Sequence, residues 1–276
     1  MTGLEPVRFA FEGTQAHAWV GGAPSGLPLL LLHGSGPGAS SIGNWRTVLP
    51  ALAARHPIVA LDLIGFGESA RPPGLRFDFE RLLRQARHAR ASLLGAAPCG
   101  IIGHSVSAAL ALRLAAEDAS VRAVLTTGAM GPDMPVNPEL DFVWRCPRSR
   151  EGMRAAAATL IHDPALIDEP YLDARMAVIA APGYADYFDA MFDAPFDRII
   201  ASTAVPDAAL AALEARVMML HGRDDRPFPA AETTLRIAPR IPRADVVLLA
   251  NCGHSVALER RDAFLAAAHQ LFEPEA

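Results

Sequence analysis

The sequence predicts an α/β fold in which a mostly parallel central sheet carries helices on both faces and an inserted helical cap. Strand-like apolar runs alternate with helical stretches, the rhythm that builds parallel sheets. A proline-rich stretch of about 70 residues breaks that rhythm once, and the strands then resume. Residues able to do chemistry fall just beyond the ends of separate runs, and ligands of such sheets bind outside the carboxyl ends of the strands. At 276 residues, 51% apolar and 20% charged, the chain can bury a substantial core without disulfides or metals.

Taken in order, residues 7–11 and 16–20 read as a hairpin across Glu12-Gly13-Thr14. The run Leu29-Leu30-Leu31-Leu32 is a buried strand, followed by a helix around residues 44–55 and a strand over 58–62. After a turn at Gly65-Phe66-Gly67 comes a helix over 79–94, on which Arg81, Arg84, Arg87 and Arg90 recur at near-helical spacing and read as a solvated face. A strand over 98–102, a helix over 108–116 and a strand over 121–127 follow. Between about Gly131 and Ala204 stand Pro132, Pro135, Pro138, Pro147, Pro164, Pro170, Pro182 and Pro195, among apolar residues that favour short helices. Structureless loops of that length are rare in compact domains, so 132–203 is expected to be a helical cap inserted into one core of 1–131 and 204–276. Strands over 217–220 and 246–249 complete the sheet.

Gly103-His104-Ser105-Val106-Ser107 lies between the strand over 98–102 and the alanine-rich helix. Small residues around a serine let the backbone bend sharply and lift the hydroxyl clear of the sheet, the nucleophile elbow of α/β-hydrolases. On these five residues alone, Ser105 reads equally well as a helix N-cap. A serine nucleophile needs a base to take its proton and an acid to orient that base. Both follow in the chain order of this fold: an acid in His221-Gly222-Arg223-Asp224-Asp225-Arg226 and a histidine in Asn251-Cys252-Gly253-His254-Ser255. Asp225 is preferred to Asp224 because the pattern of α/β-hydrolases, which this stretch resembles, places the acid three residues after a glycine and four before a proline, here Gly222 and Pro229. The expected triad is Ser105, Asp225 and His254. Leu32 runs into His33-Gly34-Ser35-Gly36-Pro37-Gly38, where a free N–H of Ser35 could join that of Val106 as an oxyanion hole. Neither the dinucleotide fingerprint nor the lysine-bearing P-loop pattern is met there.

Several classes are excluded by composition. A net charge of -5 leaves no electrostatic footprint for nucleic acid. Three cysteines, at 99, 146 and 252, make no C-x-x-C pair, and nine histidines make no recognised metal spacing, so no metal and no cofactor are expected. No signal peptide and no bilayer-spanning run is evident, which reads as a soluble cytoplasmic enzyme with a small-molecule substrate and no membrane partner.

The loop His33-Gly34-Ser35-Gly36-Pro37-Gly38-Ala39, with Asn44-Trp45 shortly after, resembles the meta-cleavage product hydrolases of aromatic degradation. Leu61-Asp62-Leu63-Ile64-Gly65-Phe66-Gly67-Glu68-Ser69, Arg175 with Pro182-Gly183, and Gly222-Arg223-Asp224-Asp225 are similar to the monocyclic-aromatic branch of that family. The resemblance covers nearly the whole chain. It implies serine-dependent hydrolysis of a carbon–carbon bond in a 2-hydroxy-6-oxo-hexa-2,4-dienoate-type ring-cleavage product: the enol becomes its keto tautomer, and the C6 ketone is then attacked. It also implies a homodimer, and a carboxylated substrate whose head group meets Gly34, Asn44, His104, Arg175 and Ser255. An arginine offers a fixed fork of donors to a carboxylate, and without the resemblance a cap-surface salt bridge is the lesser alternative reading of Arg175.

Three positions depart from the family pattern. His104 replaces the usual asparagine, Ser107 a glycine, and Ser255 a tryptophan. A histidine can still donate to a carboxylate, more strongly if protonated, and His104 can also be a non-catalytic polar residue. An ester, lactone or amide hydrolase of a small carboxylated substrate is therefore the alternative enzyme, and a ligand-binding protein on the same fold is the alternative outside enzymes.

Overall fold

The computed structural model describes residues 3–130 and 134–273. A single sheet runs through it, formed by β1 (Leu4–Phe11), β2 (Thr14–Gly22), β3 (Leu29–Leu32), β4 (Pro57–Asp62), β5 (Cys99–His104), β6 (Val121–Thr127), β7 (Arg216–Gly222) and β8 (Ala244–Leu249), in the spatial order β1-β2-β4-β3-β5-β6-β7-β8. β1 pairs with β2 and β2 with β4 antiparallel, and from β4 to β8 every pairing is parallel. The β1–β2 turn sits on Glu12 and Gly13, with φ of 43° and 72°. Two positive φ angles match the twist of the flanking strands.

Because side chains alternate across a strand, each central strand feeds two cores. Leu30, Leu32, Val59, Leu61, Ile101 and Val124 join the core shared with helices Phe79–Ala89 and Val106–Glu117. Leu29, Leu31, Ile58, Ala60, Ile102 and Leu125 face the other way, onto Trp45, Phe264 and Leu271. Coverage on both faces explains why β3 and β5 are wholly buried, apolar runs rather than alternating ones.

Two expectations need correction. The helix around 44–55 is two short helices, Ser41–Trp45 and Leu49–Ala53, because Pro50 lacks an N–H and suits the start of a helix rather than its middle. The arginine face of helix Phe79–Ala89 is not uniformly solvated. Arg81 and Arg84 pair with Glu12, and Arg87 with Glu117. Arg90 is only 3% exposed. It begins a π-helical turn, Arg90–Leu94, and its guanidinium donates to the carbonyls of Gly95 and Ala97 and to Ser120 Oγ while pairing with Asp118 at 3.4 Å.

Between β6 and β7 the described residues contain helices but no strand: Leu140–Trp144, Arg150–Leu160, Glu169–Ile179, Tyr184–Met191, Phe196–Ser202 and Asp207–Ala211. Several of the prolines sit at helix starts and so do not prevent this. Pro170 occupies the first turn of Glu169–Ile179 behind the Asp168 cap, and Pro195 and Pro206 immediately precede their helices. Within the segment Trp144 stacks on Phe192 at 5.8 Å, and aromatic contacts tie it to the rest of the fold: Trp144 meets Phe228 at 6.2 Å, and Phe188 meets Phe66 at 6.4 Å. Among the described residues no helix is long and apolar enough to cross a membrane.

At the carboxyl end of β4, the buried Asp62 organises the turns under the cleft. Its carboxylate accepts from His17 Nδ1 at 2.9 Å, from the Ser41 N–H and hydroxyl at 2.7 Å each, and from the Glu68 N–H at 3.1 Å. Burial raises the pKa of an acid, but these donors and the nearby His33 outweigh it and hold Asp62 at about 2, against an ordinary 3.8. A lowered folded-state pKa contributes stability above the ordinary value, here about 2 kcal/mol, that is lost as pH falls toward the folded value. Urea unfolding of wild type and Asp62→Asn should show wild type losing about 1 kcal/mol more between about pH 6 and pH 3. Parallel acid limbs would remove this role from Asp62.

Candidate active site

β5 turns into helix Val106–Glu117 at Ser105, which is held at φ 59°, ψ -123°. A non-glycine residue rarely adopts that conformation, and it persists only where its surroundings enforce it. Here Ser105 N–H bonds the Thr127 carbonyl at 2.9 Å, and the helix returns so close to β5 that a Cβ on Gly103 would lie 2.3 Å from the Ser107 carbonyl oxygen. Ser107, where the resemblance implies glycine, is buried, and its hydroxyl donates to the His33 carbonyl at 2.6 Å. The departure thus joins the elbow helix to the loop after β3.

Asp225 and His254 lie beyond β7 and β8. His254 Nδ1 is 2.7 Å from Asp225 Oδ2, and Asp225 Oδ1 accepts from the Phe228 N–H at 3.1 Å. A second histidine, His221, reaches the same Oδ2 at 3.1 Å and is anchored by the Phe228 carbonyl and the Thr234 hydroxyl, each at 2.7 Å. Burial works to raise the Asp225 pKa, yet the two histidines outweigh it and hold the carboxyl well below the usual carboxylate range. Asp224 is turned away, accepting from the Cys252 N–H at 3.2 Å. Ser105 Oγ makes no hydrogen bond among the described residues, but it lines the same cleft as His254. Such bonds commonly tighten only around a bound substrate.

Opposite the serine, a Cβ on Gly34 would lie 2.9 Å from His104 Cδ2 and 3.3 Å from Ser105 Cβ, so the loop can pass only as glycine. His33 fixes that loop: Nδ1 donates to the Gly34 carbonyl at 2.6 Å and Nε2 accepts from the Leu63 N–H at 3.0 Å. Burial pushes His33 below its ordinary pKa, and the accepting Nε2 fits a neutral ring. Ser35 Oγ accepts from Trp144 Nε1 at 3.1 Å. The backbone N–H groups of Ser35 and Val106 have no partner among the described residues, which leaves both free to donate.

Gly34, Asn44, His104, Arg175 and Ser255 all line this cleft. Asn44 Oδ1 accepts from the Gly34 N–H at 3.4 Å, and Arg175 Nη1 donates to the Pro37 carbonyl at 3.1 Å. Sequence reasoning missed Arg46 and Tyr171. The Arg46 guanidinium lies 5.2 Å and that of Arg175 5.6 Å from the Tyr171 ring centroid, and neither arginine has an acidic partner among the described residues. Arg46 sits two residues beyond Asn44, a signal that was available. His221 was also missed, although its i,i+4 spacing to Asp225 was visible. Phe142, Val143, Met153 and Leu160 supply an apolar wall to the cleft. Among the described residues no cluster of His, Cys, Asp or Glu could hold a metal ion.

The profile of the Alpha/beta hydrolase family matches residues 29–268. The chain belongs to that family. This hydrolase is 32% identical over 245 residues to the 2-hydroxy-6-oxo-2,4-heptadienoate hydrolase of Pseudomonas putida, covering 87% of each chain. It is likewise 32% identical over 241 residues to the 2-hydroxymuconate semialdehyde hydrolase of a Pseudomonas species, covering 87% of this chain and 84% of the relative. Among solved structures, a serine-to-alanine mutant of the meta-cleavage product hydrolase from Pseudomonas fluorescens, complexed with acetates, superposes with a TM-score of 0.88 at 28% identity, over 96% of this chain and 97% of that one.

The elbow of this hydrolase should tolerate loss of a hydroxyl better than gain of a methyl. Gly103→Ala forces a Cβ against backbone and should lower unfolding free energy by about 2 kcal/mol or more. Ser107→Ala removes one buried hydrogen bond and should cost about 1 kcal/mol. Urea unfolding of both variants checks the order, and a reversed order would mean that strand and helix do not meet this closely.

Proposed function

We propose that this enzyme adds water across the C5–C6 bond of a 2-hydroxy-6-oxo-hexa-2,4-dienoate-type ring-cleavage product, releasing a carboxylic acid and a 2-hydroxypentadienoate. Ser105 is the nucleophile, His254 its base, and Asp225 the acid that orients His254 and stabilises its imidazolium. The N–H groups of Ser35 and Val106 receive the oxyanion. Gly34, Asn44, His104, Arg175 and Ser255 surround the head group, with Arg175 and Asn44 donating to the carboxylate. The segment 132–203 acts as the cap, the enzyme is cytoplasmic, and it is homodimeric, as the family resemblance implies for the last.

One observation carries this reading. Two arginines without acidic partners, Arg46 and Arg175, converge on Tyr171 in the same cleft as Ser105 and His254. An acyl-transfer centre beside an uncompensated cationic seat suits a ligand that carries a carboxylate at one end and an electrophilic carbonyl farther along. The names of the relatives, hydrolases of dienoates and of a muconate semialdehyde, supply the class of carbonyl.

Purified protein should bleach the visible absorbance of dienoate ring-fission products. Turnover of simple aryl esters without bleaching would instead assign the ester, lactone or amide chemistry, and tight binding without turnover of either would assign a ligand-binding role. Ser105→Ala should lower kcat on the order of 10⁴-fold or more with the fold retained by circular dichroism, and undiminished cleavage would mean that another group attacks. Arg175→Ala should raise KM for the carboxylated substrate about tenfold or more beyond any change for a neutral ester, because a charge-assisted hydrogen bond is lost. Equal changes for both substrates would reject the carboxylate role.

A further inference from the structure

His221 has no task in the chemistry proposed above, yet it touches the acid of the triad. It lies near the end of β7, wholly buried, with its ring between the Phe228 carbonyl and the Asp225 carboxylate. Nε2 is 2.7 Å from that carbonyl oxygen and 3.1 Å from Asp225 Oδ2, while Nδ1 meets the Thr234 hydroxyl at 2.7 Å. A carbonyl oxygen can only accept, so Nε2 carries a hydrogen, and the neighbouring Oδ2 shares it. The Thr234 hydroxyl can donate or accept, so this assignment holds for the neutral ring and for the cation alike.

Oδ2 therefore serves two imidazoles, His254 through Nδ1 at 2.7 Å and His221 through Nε2 at 3.1 Å. Phe228 clamps the arrangement from both sides, its N–H on Asp225 Oδ1 and its carbonyl on the His221 ring. The carboxylate cannot turn without breaking one of these bonds. A second donor on one oxygen also draws on the negative charge that the first donor uses.

The other titratable groups around the pair leave that sharing to His221. His104 on β5, its ring centroid 4.6 Å from that of His254, is held well below the ordinary histidine pKa, first by burial and then by His254, and so is uncharged. Burial pushes the Cys252 thiol up, which keeps it neutral as well. Asp224 turns its half-exposed carboxylate to the Cys252 N–H at 3.2 Å and to His162 at 3.8 Å.

We propose that His221 is a positioning residue: by occupying Asp225 Oδ2 beside His254, it fixes the carboxylate and moderates its hold on the His254 proton. The inference rests on the triad reading above and is independent of which carbonyl substrate is cleaved.

The acid limb of kcat/KM reports loss of a proton from the base of the free enzyme, and it can be followed by dienoate bleaching and by 4-nitrophenyl acetate hydrolysis. His221→Leu should move that limb to higher pH by about half a unit or more, because Oδ2 then gives its charge to His254 alone. His221→Gln, whose amide N–H reaches close to the place of Nε2, should bring the limb back to within about 0.2 unit of wild type. A lower kcat in both variants with the limb unmoved would overturn the proposal, since a merely structural role predicts that result. Nitrogen-15 NMR titration of His254 in the same proteins reads the same shift without any substrate. In wild type it should also show His221 protonated at Nε2, and a bare Nε2 would overturn the proposal even if His221→Leu does not fold. Undiminished turnover by Ser105→Ala or His254→Ala would overturn the triad reading and this inference with it, whereas loss of turnover in those two beside an unmoved limb in His221→Leu would overturn the role of His221 alone.

Discussion

The close approach of β5 and the helix that follows it governs the geometry of this active site. The Ser107 carbonyl lies where a Gly103 side chain would be, so the chain must reverse within two residues, and Ser105 is forced to a positive φ. The strain is local and is held in place by the Thr127 carbonyl, which receives both the Ser105 N–H and the His104 ring. One carbonyl on β6 thus holds the elbow and the ring of its neighbour. The Ser107 hydroxyl extends the same constraint to the loop after β3 through His33.

Electrostatically the site is divided. At the carboxyl end of β7 and β8, two histidines share one buried carboxylate, which stays ionised against the cost of burial. Around Tyr171, two arginines face an aromatic ring with no acidic partner among the described residues. A buried anion favours the protonated form of a neighbouring imidazole, while an uncompensated cationic seat favours an anionic ligand.

Much of this was legible in the sequence because it depended on local pattern. The buried strands declared themselves as apolar runs, and Ser35, Ser105, Asp225 and His254 could be found because each follows such a run. The features that escaped depend on contacts remote in sequence. Arg90 shares the helical spacing of solvated arginines, yet Ser120 and two carbonyls bury it. His104 was visible as a departure, but its ring is held by Thr127, 23 residues away. Pro50 signalled the break between the two short helices and was outweighed by the apolar residues around it.

The end of helix Arg150–Leu160 has a further consequence. Its last carbonyl, that of Leu160, accepts the N–H groups of His254 at 2.8 Å and Ser255 at 3.3 Å, and Glu259 grips the next turn through the His162 N–H at 2.7 Å. This wall of the cleft is therefore stitched to the loop that carries His254. Widening the cleft at this point would break those bonds or drag the imidazole with it, so the shape of the wall and the position of that ring are mechanically joined.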